Sequence, residues 1–255
     1  MARKRQKPLR AKIQSEHPFF DIVCDAYRVF AYPKPAQIEV CEGCCMEPEI
    51  EADFFNPPID ELPLHYVQDW FFAACDPKGI AKATWGYLLP RILEILSVDD
   101  ELASVGLEVS LNRFRTGDTD NWSPEEWQVL DAFQRAYLAR EVERDTGYLD
   151  DTLCMFALAG WSLDNLLEQV AALPDEAVVR RLWNDWCKGC APERASIWIT
   201  AFWESPGNSL VYEFYTSNAL YDRVENVALA DDTDPELADK ASAVASVIEA
   251  NATWK

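Results

Sequence analysis

A helix-start signal followed by a long helical hydrophobic pattern constrains the fold of this 255-residue chain more than any other feature. Ser123-Pro124-Glu125-Glu126 combines a capping box with proline at the first helical position, where proline is favoured. Apolar residues then recur at helical spacing, at Trp127, Leu130, Phe133, Tyr137 and Leu138. Similar spacing extends from Thr84 to Leu96 and from Leu210 to Leu229. Because the chain also has only nine glycines, we predict a mostly α fold, built as a stack of helical hairpins or an irregular bundle.

Two segments do not follow the helical pattern. The N-terminal region is rich in proline, at Pro33, Pro35, Pro48, Pro57, Pro58 and Pro63, and we expect it to be partly irregular. The segment Ser196–Trp203 is rich in β-branched and aromatic residues. Periodicity does not distinguish a buried helix from a strand in so short a run, so both remain open there.

Charge is distributed unevenly along the chain. The formal net charge is −21, yet residues 1–16 have six basic residues and one acidic residue, which leaves −26 for residues 17–255. We therefore predict a disordered basic tail over residues 1–16 and one acidic helical domain over residues 17–255, with an alternative sub-boundary near residue 146. Such an acidic surface repels nucleic acid and anionic membranes and attracts basic proteins.

The sequence also predicts a cytoplasmic protein. The basic leader is followed by no apolar run of the kind that a signal peptide contains. No stretch approaches the ~18–20 apolar residues of a membrane span.

Cysteine spacing suggests a metal site. Two Cys-x-x-Cys turns can supply four thiolates to one structural zinc ion; these ligands are Cys41, Cys44, Cys187 and Cys190, with Cys45 and His65 as alternates. The two pairs lie far apart in the sequence, whereas such pairs usually lie about 15–20 residues apart. The alternative is a set of buried thiols without metal, since free cysteine is among the most buried residue types.

Motifs that identify a reaction are missing from the sequence. There is no His-Glu-x-x-His pattern, no Gly-x-Ser-x-Gly elbow and no glycine-rich phosphate loop. Carboxylate pairs such as Asp150-Asp151 are expected from the acidic composition alone. We therefore predict no catalytic or cofactor-binding residue and, apart from the zinc ion, no cofactor.

Two blocks give the chain a resemblance to known sequences. The segment from Tyr32 to Met46, with its Cys41-Glu42-Gly43-Cys44-Cys45-Met46 block, and the segment Asn121–Trp127 are similar to uncharacterised bacterial proteins. This resemblance implies a bacterial origin and carries no function with it.

The functional expectation is a non-enzymatic binding protein. An acidic surface with an exposed aromatic anchor is suited to bind a basic protein, so we expect an immunity protein that neutralises a bacterial toxin domain. The alternatives are a zinc-stabilised adaptor or regulatory protein and, third, an enzyme that uses carboxylates and a bound metal. The sequence does not determine the oligomeric state.

Overall fold

The computed structural model describes residues 13–38, 40, 46–73 and 79–252. These ranges contain helices and irregular segments and no β-strand, which confirms the predicted mostly α fold. None of the helices in these ranges has both the length and the apolar character needed to cross a membrane. The chain divides into two compact units, residues 1–134 and 135–255. The predicted single domain over residues 17–255, with an alternative sub-boundary near residue 146, stays a prediction.

The first unit is organised around one buried helix. Its helices are α1 (Phe20–Val29), α2 (Pro48–Asp53), α3 (Leu64–Ala73), α4 (Lys82–Ser97) and the first part of α5 (Pro124–Glu143). The helix α4 is buried along almost its whole length, and it packs against α1 and the short turn Ile59–Glu61. Ile13 is also buried. The predicted disordered tail over residues 1–16 therefore contains at least one packed residue.

The predicted capping box is present at the start of α5. The Glu126 backbone N donates to Ser123 Oγ at 3.3 Å, and the Ser123 backbone N donates to Glu126 Oε2 at 2.7 Å. The Tyr32 hydroxyl donates to the other oxygen of this carboxylate, Oε1, at 2.6 Å. Two orphan N–H groups of the helix end are therefore satisfied reciprocally, as the sequence predicted.

In the second unit, residues 144–252 form six further helices after the end of α5. They are α6 (Leu149–Leu158), α7 (Leu163–Ala171), α8 (Asp175–Trp186), α9 (Gly207–Tyr215), α10 (Asn218–Leu229) and α11 (Pro235–Asn251). The helices α8, α10 and α11 pack against one another through buried aliphatic residues. The helix α9 contacts α7, which in turn contacts α6.

Two local predictions in this unit need correction. The helix predicted from Leu210 to Leu229 is broken between α9 and α10, because the Ser217 side chain accepts a hydrogen bond from the Leu220 backbone N and starts a new helix. The segment Ser196–Trp203 is neither helix nor strand. It forms an irregular loop between the short turn Pro192–Arg194 and α9.

Candidate protein-binding site

An exposed pair of stacked aromatic side chains marks the candidate site in the second unit. The Trp198 and Tyr148 rings stack with centroids 4.8 Å apart and an interplanar angle of 27°. Their residues remain 42% and 39% exposed, and Phe202, on the same loop as Trp198, is 37% exposed. We call residues 195–206 the aromatic loop. Large aromatic side chains that remain this accessible provide apolar area for contact with another molecule.

A buried carboxylate fixes the aromatic loop to the body of the unit. Asp150 lies in the first turn of α6 and is 2% exposed. Its Oδ2 accepts hydrogen bonds from the Thr200 backbone N at 2.7 Å and from Trp203 Nε1 at 2.9 Å. The loop has no regular secondary structure, so the Thr200 backbone N donates to the Asp150 carboxylate and not to a backbone carbonyl of a neighbouring strand.

The electrostatics of Asp150 reflect its burial. Loss of solvation raises the pKa of Asp150 from 3.8 to about 6, although the hydrogen bonds from Thr200 and Trp203 act in the opposite direction. The buried hydroxyl of Tyr215 lies beside this carboxylate, and burial followed by the charge of Asp150 raises the pKa of Tyr215 well above its usual value. Tyr215 therefore stays protonated.

A second buried network holds the turn that presents Tyr148. The Arg181 guanidinium donates to four backbone carbonyls, those of Glu141 at 3.4 Å, Arg144 at 2.9 Å, Thr146 at 3.1 Å and Gly147 at 2.7 Å. Arg181 also pairs with Asp185, one turn further along α8. The guanidinium thus fixes the backbone on the N-terminal side of Tyr148.

Asp185 fixes the backbone on the other side of Tyr148. Its Oδ2 accepts a hydrogen bond from the Leu149 backbone N at 3.1 Å, at the first residue of α6. Burial raises the pKa of Asp185 to about 6, against the lowering effect of Arg181. The two stacked aromatic residues are therefore held by two sets of hydrogen bonds, Trp198 through Asp150 and Tyr148 through Arg181 and Asp185.

A glycine allows the close packing of the aromatic loop against α9. A Cβ atom at Gly207 would lie 2.9 Å from Cε3 of the Trp203 ring, closer than real Cβ contacts allow. Trp203 therefore packs directly over the first residue of α9. This contact and the bond from Trp203 Nε1 to Asp150 fix the same indole from two sides.

The predicted zinc ligands lie mostly outside the part of the chain that the structure describes. Cys41, Cys44 and the alternate Cys45 lie outside the described residues. Cys187 is buried at the end of α8 and Cys190 is exposed. Burial, followed by the proximity of Cys190, raises the pKa of Cys187 to about 11, which disfavours a reactive thiolate in the metal-free protein.

The alternate ligand His65 lies on α3, with its ring against Tyr66 at a centroid distance of 4.7 Å. Within the described ranges, no group of three or more histidine, cysteine or acidic side chains is arranged to hold a metal ion. The zinc site stays a prediction.

Comparisons with known proteins add no function. No family model, curated protein or solved structure matches the chain. The resemblance to uncharacterised bacterial proteins therefore stays a prediction.

Sequence reasoning missed the residues that organise this site. Asp150 belongs to a carboxylate pair of a kind that is common in an acidic chain, and its role depends on a loop about 50 residues away. The sequence analysis expected an exposed aromatic anchor but did not identify which residues form it. The clustering of Trp198, Phe202 and Trp203 in a segment without a clear period was the available signal.

Proposed function

We propose that this protein binds a basic protein through the aromatic loop and Tyr148, and that the partner is a toxin domain that it neutralises. The observation that carries the proposal is the exposed Trp198–Tyr148 stack, held in place by two buried networks. Tryptophan and tyrosine are enriched among the residues that dominate binding energy at interfaces. A loop that is fixed before binding loses less conformational entropy on association.

The charge of the second unit supports a basic partner. Residues 135–255 include 21 acidic and 10 basic residues. Glu193 and Glu204 flank the aromatic residues of the loop in sequence, and both are exposed. Complementary charge raises association rates and suppresses binding of acidic proteins. Nucleases and other toxins with anionic substrates are basic around their active sites, so an acidic binder can both reach and block such a site.

The proposal that Trp198 slows dissociation of the partner is tested with Trp198→Ala. The partner is first purified from the native host with the natural chain as bait, and kinetics are then measured with the purified pair. Truncation of a central aromatic contact costs ~2–4 kcal/mol, so we expect dissociation to become about 30-fold to 1,000-fold faster. Phe72→Ala is the matched control, because Phe72 is an aromatic residue of α3 that is 66% exposed. Equal effects of the two substitutions would contradict the assignment of this site.

The proposal that acidic charge accelerates association with the partner is tested with charge reversal at Asp231 and Asp232. Both residues are exposed in the linker before α11. Asp234 is left unchanged, since its carboxylate caps α11 by accepting hydrogen bonds from the backbone N of Glu236 and Leu237. If this cluster steers the partner, the reversal slows association and leaves dissociation unchanged. Raising salt from 0.01 M to 0.1 M shortens the Debye length from ~30 Å to ~10 Å, so association of the natural chain should also slow.

Neutralisation is tested in cells that produce the partner. The natural chain should relieve the growth defect that the partner causes, whereas Trp198→Ala should relieve it only at higher expression. A partner that causes no growth defect would refute the toxin part and leave the binding part to be judged from the kinetics.

A further inference from the structure

A four-residue turn directly after α8 begins and ends with a cysteine. Cys187 is its first residue and Cys190 its last, and the Cys190 backbone N donates a hydrogen bond to the Cys187 carbonyl at 3.1 Å. Gly189 occupies the third position with a φ of 76°, in the left-handed region that favours glycine and that type II turns require at this position. The sequence and the backbone of the turn therefore agree.

This turn has the geometry that a disulfide needs. The Cα atoms at the two ends of a β-turn lie less than ~7 Å apart, and disulfides usually join Cα atoms that lie ~4.4–6.8 Å apart. Both cysteines are free thiols. They are also close enough to interact electrostatically, because Cys190 disfavours ionisation of Cys187. Formation of a bond between the two sulfur atoms therefore needs only an adjustment within the turn.

The two thiols differ in their access to solvent. Cys190 is exposed, whereas Cys187 is buried at the end of α8. A dissolved oxidant therefore meets Cys190 first, and Cys187 is placed beside it for a second, intramolecular step. The turn between them is attached to the rest of the unit by Lys188, whose Nζ donates to the Asp145 carbonyl at 3.2 Å.

We propose that Cys187 and Cys190 form a reversible disulfide by exchange with a low-molecular-weight disulfide. The Cys190 thiolate attacks one sulfur of the oxidant, the S–S bond of the oxidant breaks, and one thiolate leaves. Cys187 then loses its proton and attacks the Cys190 sulfur in the mixed disulfide, so the second thiolate leaves. The two protein thiols are oxidised by two electrons, and the oxidant is reduced to two thiols that take up the two protons.

The disulfide would modify the chain shortly before the aromatic loop. The connection from Cys190 to Ala195, the first residue of that loop, contains the short turn Pro192–Arg194. A bond from Cys190 to Cys187 ties the start of this connection to the end of α8. The proposal concerns the chemistry of the two thiols, and it does not depend on the protein-binding role proposed above.

Glutathione buffers test the proposal in the full-length protein. The protein is equilibrated with reduced and oxidised glutathione, the remaining thiols are blocked with N-ethylmaleimide, and tryptic peptides are identified by mass spectrometry. Trypsin cleaves after Arg181, Lys188 and Arg194, so the disulfide joins peptide 182–188 to peptide 189–194. Cys24, an exposed thiol on α1, is the control in the same digest, because it can form a mixed disulfide with glutathione.

We expect the cross-linked peptide pair to form and to respond to dilution of the buffer. The internal disulfide releases two reduced glutathione molecules for each oxidised molecule consumed. Tenfold dilution of both forms at a constant ratio should therefore raise the ratio of disulfide to dithiol about tenfold. The mixed disulfide at Cys24 exchanges one molecule for one and should stay constant.

Three results would overturn the proposal. The first is that Cys187 and Cys190 carry only glutathione adducts or link to other cysteines instead. The second is that the cross-linked pair does not respond to dilution. The third is that neither thiol is oxidised, both as purified and in the presence of EDTA, which removes any metal that protects them.

Cys190→Ser tests the order of the two steps, and it replaces an exposed side chain. This variant should lose the cross-linked pair, and Cys187 should remain free of glutathione because its thiol is buried. In Cys187→Ser, glutathione should instead accumulate on Cys190. Circular dichroism checks that both variants fold, and Cys190→Ser decides the matter if the other does not. A glutathione adduct on Cys187 in the folded Cys190→Ser chain would refute the role of Cys190 as the attacking thiol.

Discussion

Replacing Asp150 with alanine tests whether this carboxylate holds the aromatic loop. The substitution removes the acceptor of two hydrogen bonds, those from the Thr200 backbone N and from Trp203 Nε1. Hydrogen bonds between uncharged groups contribute about 0.5–1.5 kcal/mol each, so with Asp150 protonated their loss costs ~1–3 kcal/mol. The rise in the pKa of Asp150 from 3.8 to about 6, which already includes the effect of these two hydrogen bonds, makes the ionised form ~3 kcal/mol less favourable than the protonated form at neutral pH. The expected loss at pH 7 is therefore close to zero, and the loss of ~1–3 kcal/mol emerges as the pH falls.

The loss should be larger at pH 5 than at pH 7. Because the pKa of Asp150 is higher in the folded protein than in the unfolded chain, its contribution is greatest below pH 3.8 and falls as the pH rises through about 6. At pH 5 the natural chain gains ~1 kcal/mol from proton uptake at this group relative to pH 7. The proton can occupy Oδ1, which is buried without a hydrogen-bond partner among the described residues, so Oδ2 continues to accept. The alanine variant lacks this gain.

Urea unfolding of both chains at pH 7 and pH 5, followed by tryptophan fluorescence and circular dichroism, gives the two free-energy differences. Limited proteolysis should also cleave the variant faster within residues 195–206, because the loop has lost its attachment. Asp164→Ala is the control, since Asp164 is an exposed aspartate in the first turn of α7. A destabilisation at pH 5 equal to or smaller than that at pH 7 would refute this account of Asp150.

Three further perturbations test packing and metal binding. A chain that begins at residue 15 should be ~1.5–3 kcal/mol less stable than one that begins at residue 13, because only the shorter chain lacks the buried side chain of Ile13; equal urea midpoints would contradict this. Gly207→Ala should cost ~1–3 kcal/mol, since its Cβ would meet the Trp203 ring, and a thermal melt checks it. If the Cys-x-x-Cys pairs bind zinc, the purified protein should contain about one zinc ion per chain and chelation should lower its Tm; a metal-free protein with an unchanged melt would remove the site.

The sequence predicted the features that depend on local chemistry. The capping box at Ser123 and the apolar spacing after it determine where α5 begins, and both act within a few residues. The break between α9 and α10 was also encoded locally, by Ser217, but the apolar residues on both sides suggested one continuous helix. A serine in the middle of such a pattern is compatible with either outcome.

The conformation of Ser196–Trp203 was not predictable from local sequence. Its β-branched residues favour a strand, yet its backbone conformation is set by hydrogen bonds to Asp150, about 50 residues earlier in the chain. The exposure of Trp198 depends on the same distant contact. Composition therefore suggested an aromatic anchor, but only the tertiary structure identifies which tryptophan provides it.

Burial of Asp150 links the stability of the protein to its proposed binding role. An irregular loop normally loses conformational entropy when it binds a partner, which weakens the complex. In this protein the loop is ordered during folding instead, by one carboxylate whose own burial is unfavourable at neutral pH. Ordering of the loop therefore reduces the free energy of unfolding, and it does not reduce the free energy of association with a partner. If the protein binds the proposed basic partner, Trp198 and Tyr148 contact it as a preformed surface, and the exposed carboxylates of the unit are expected to act on the association rate.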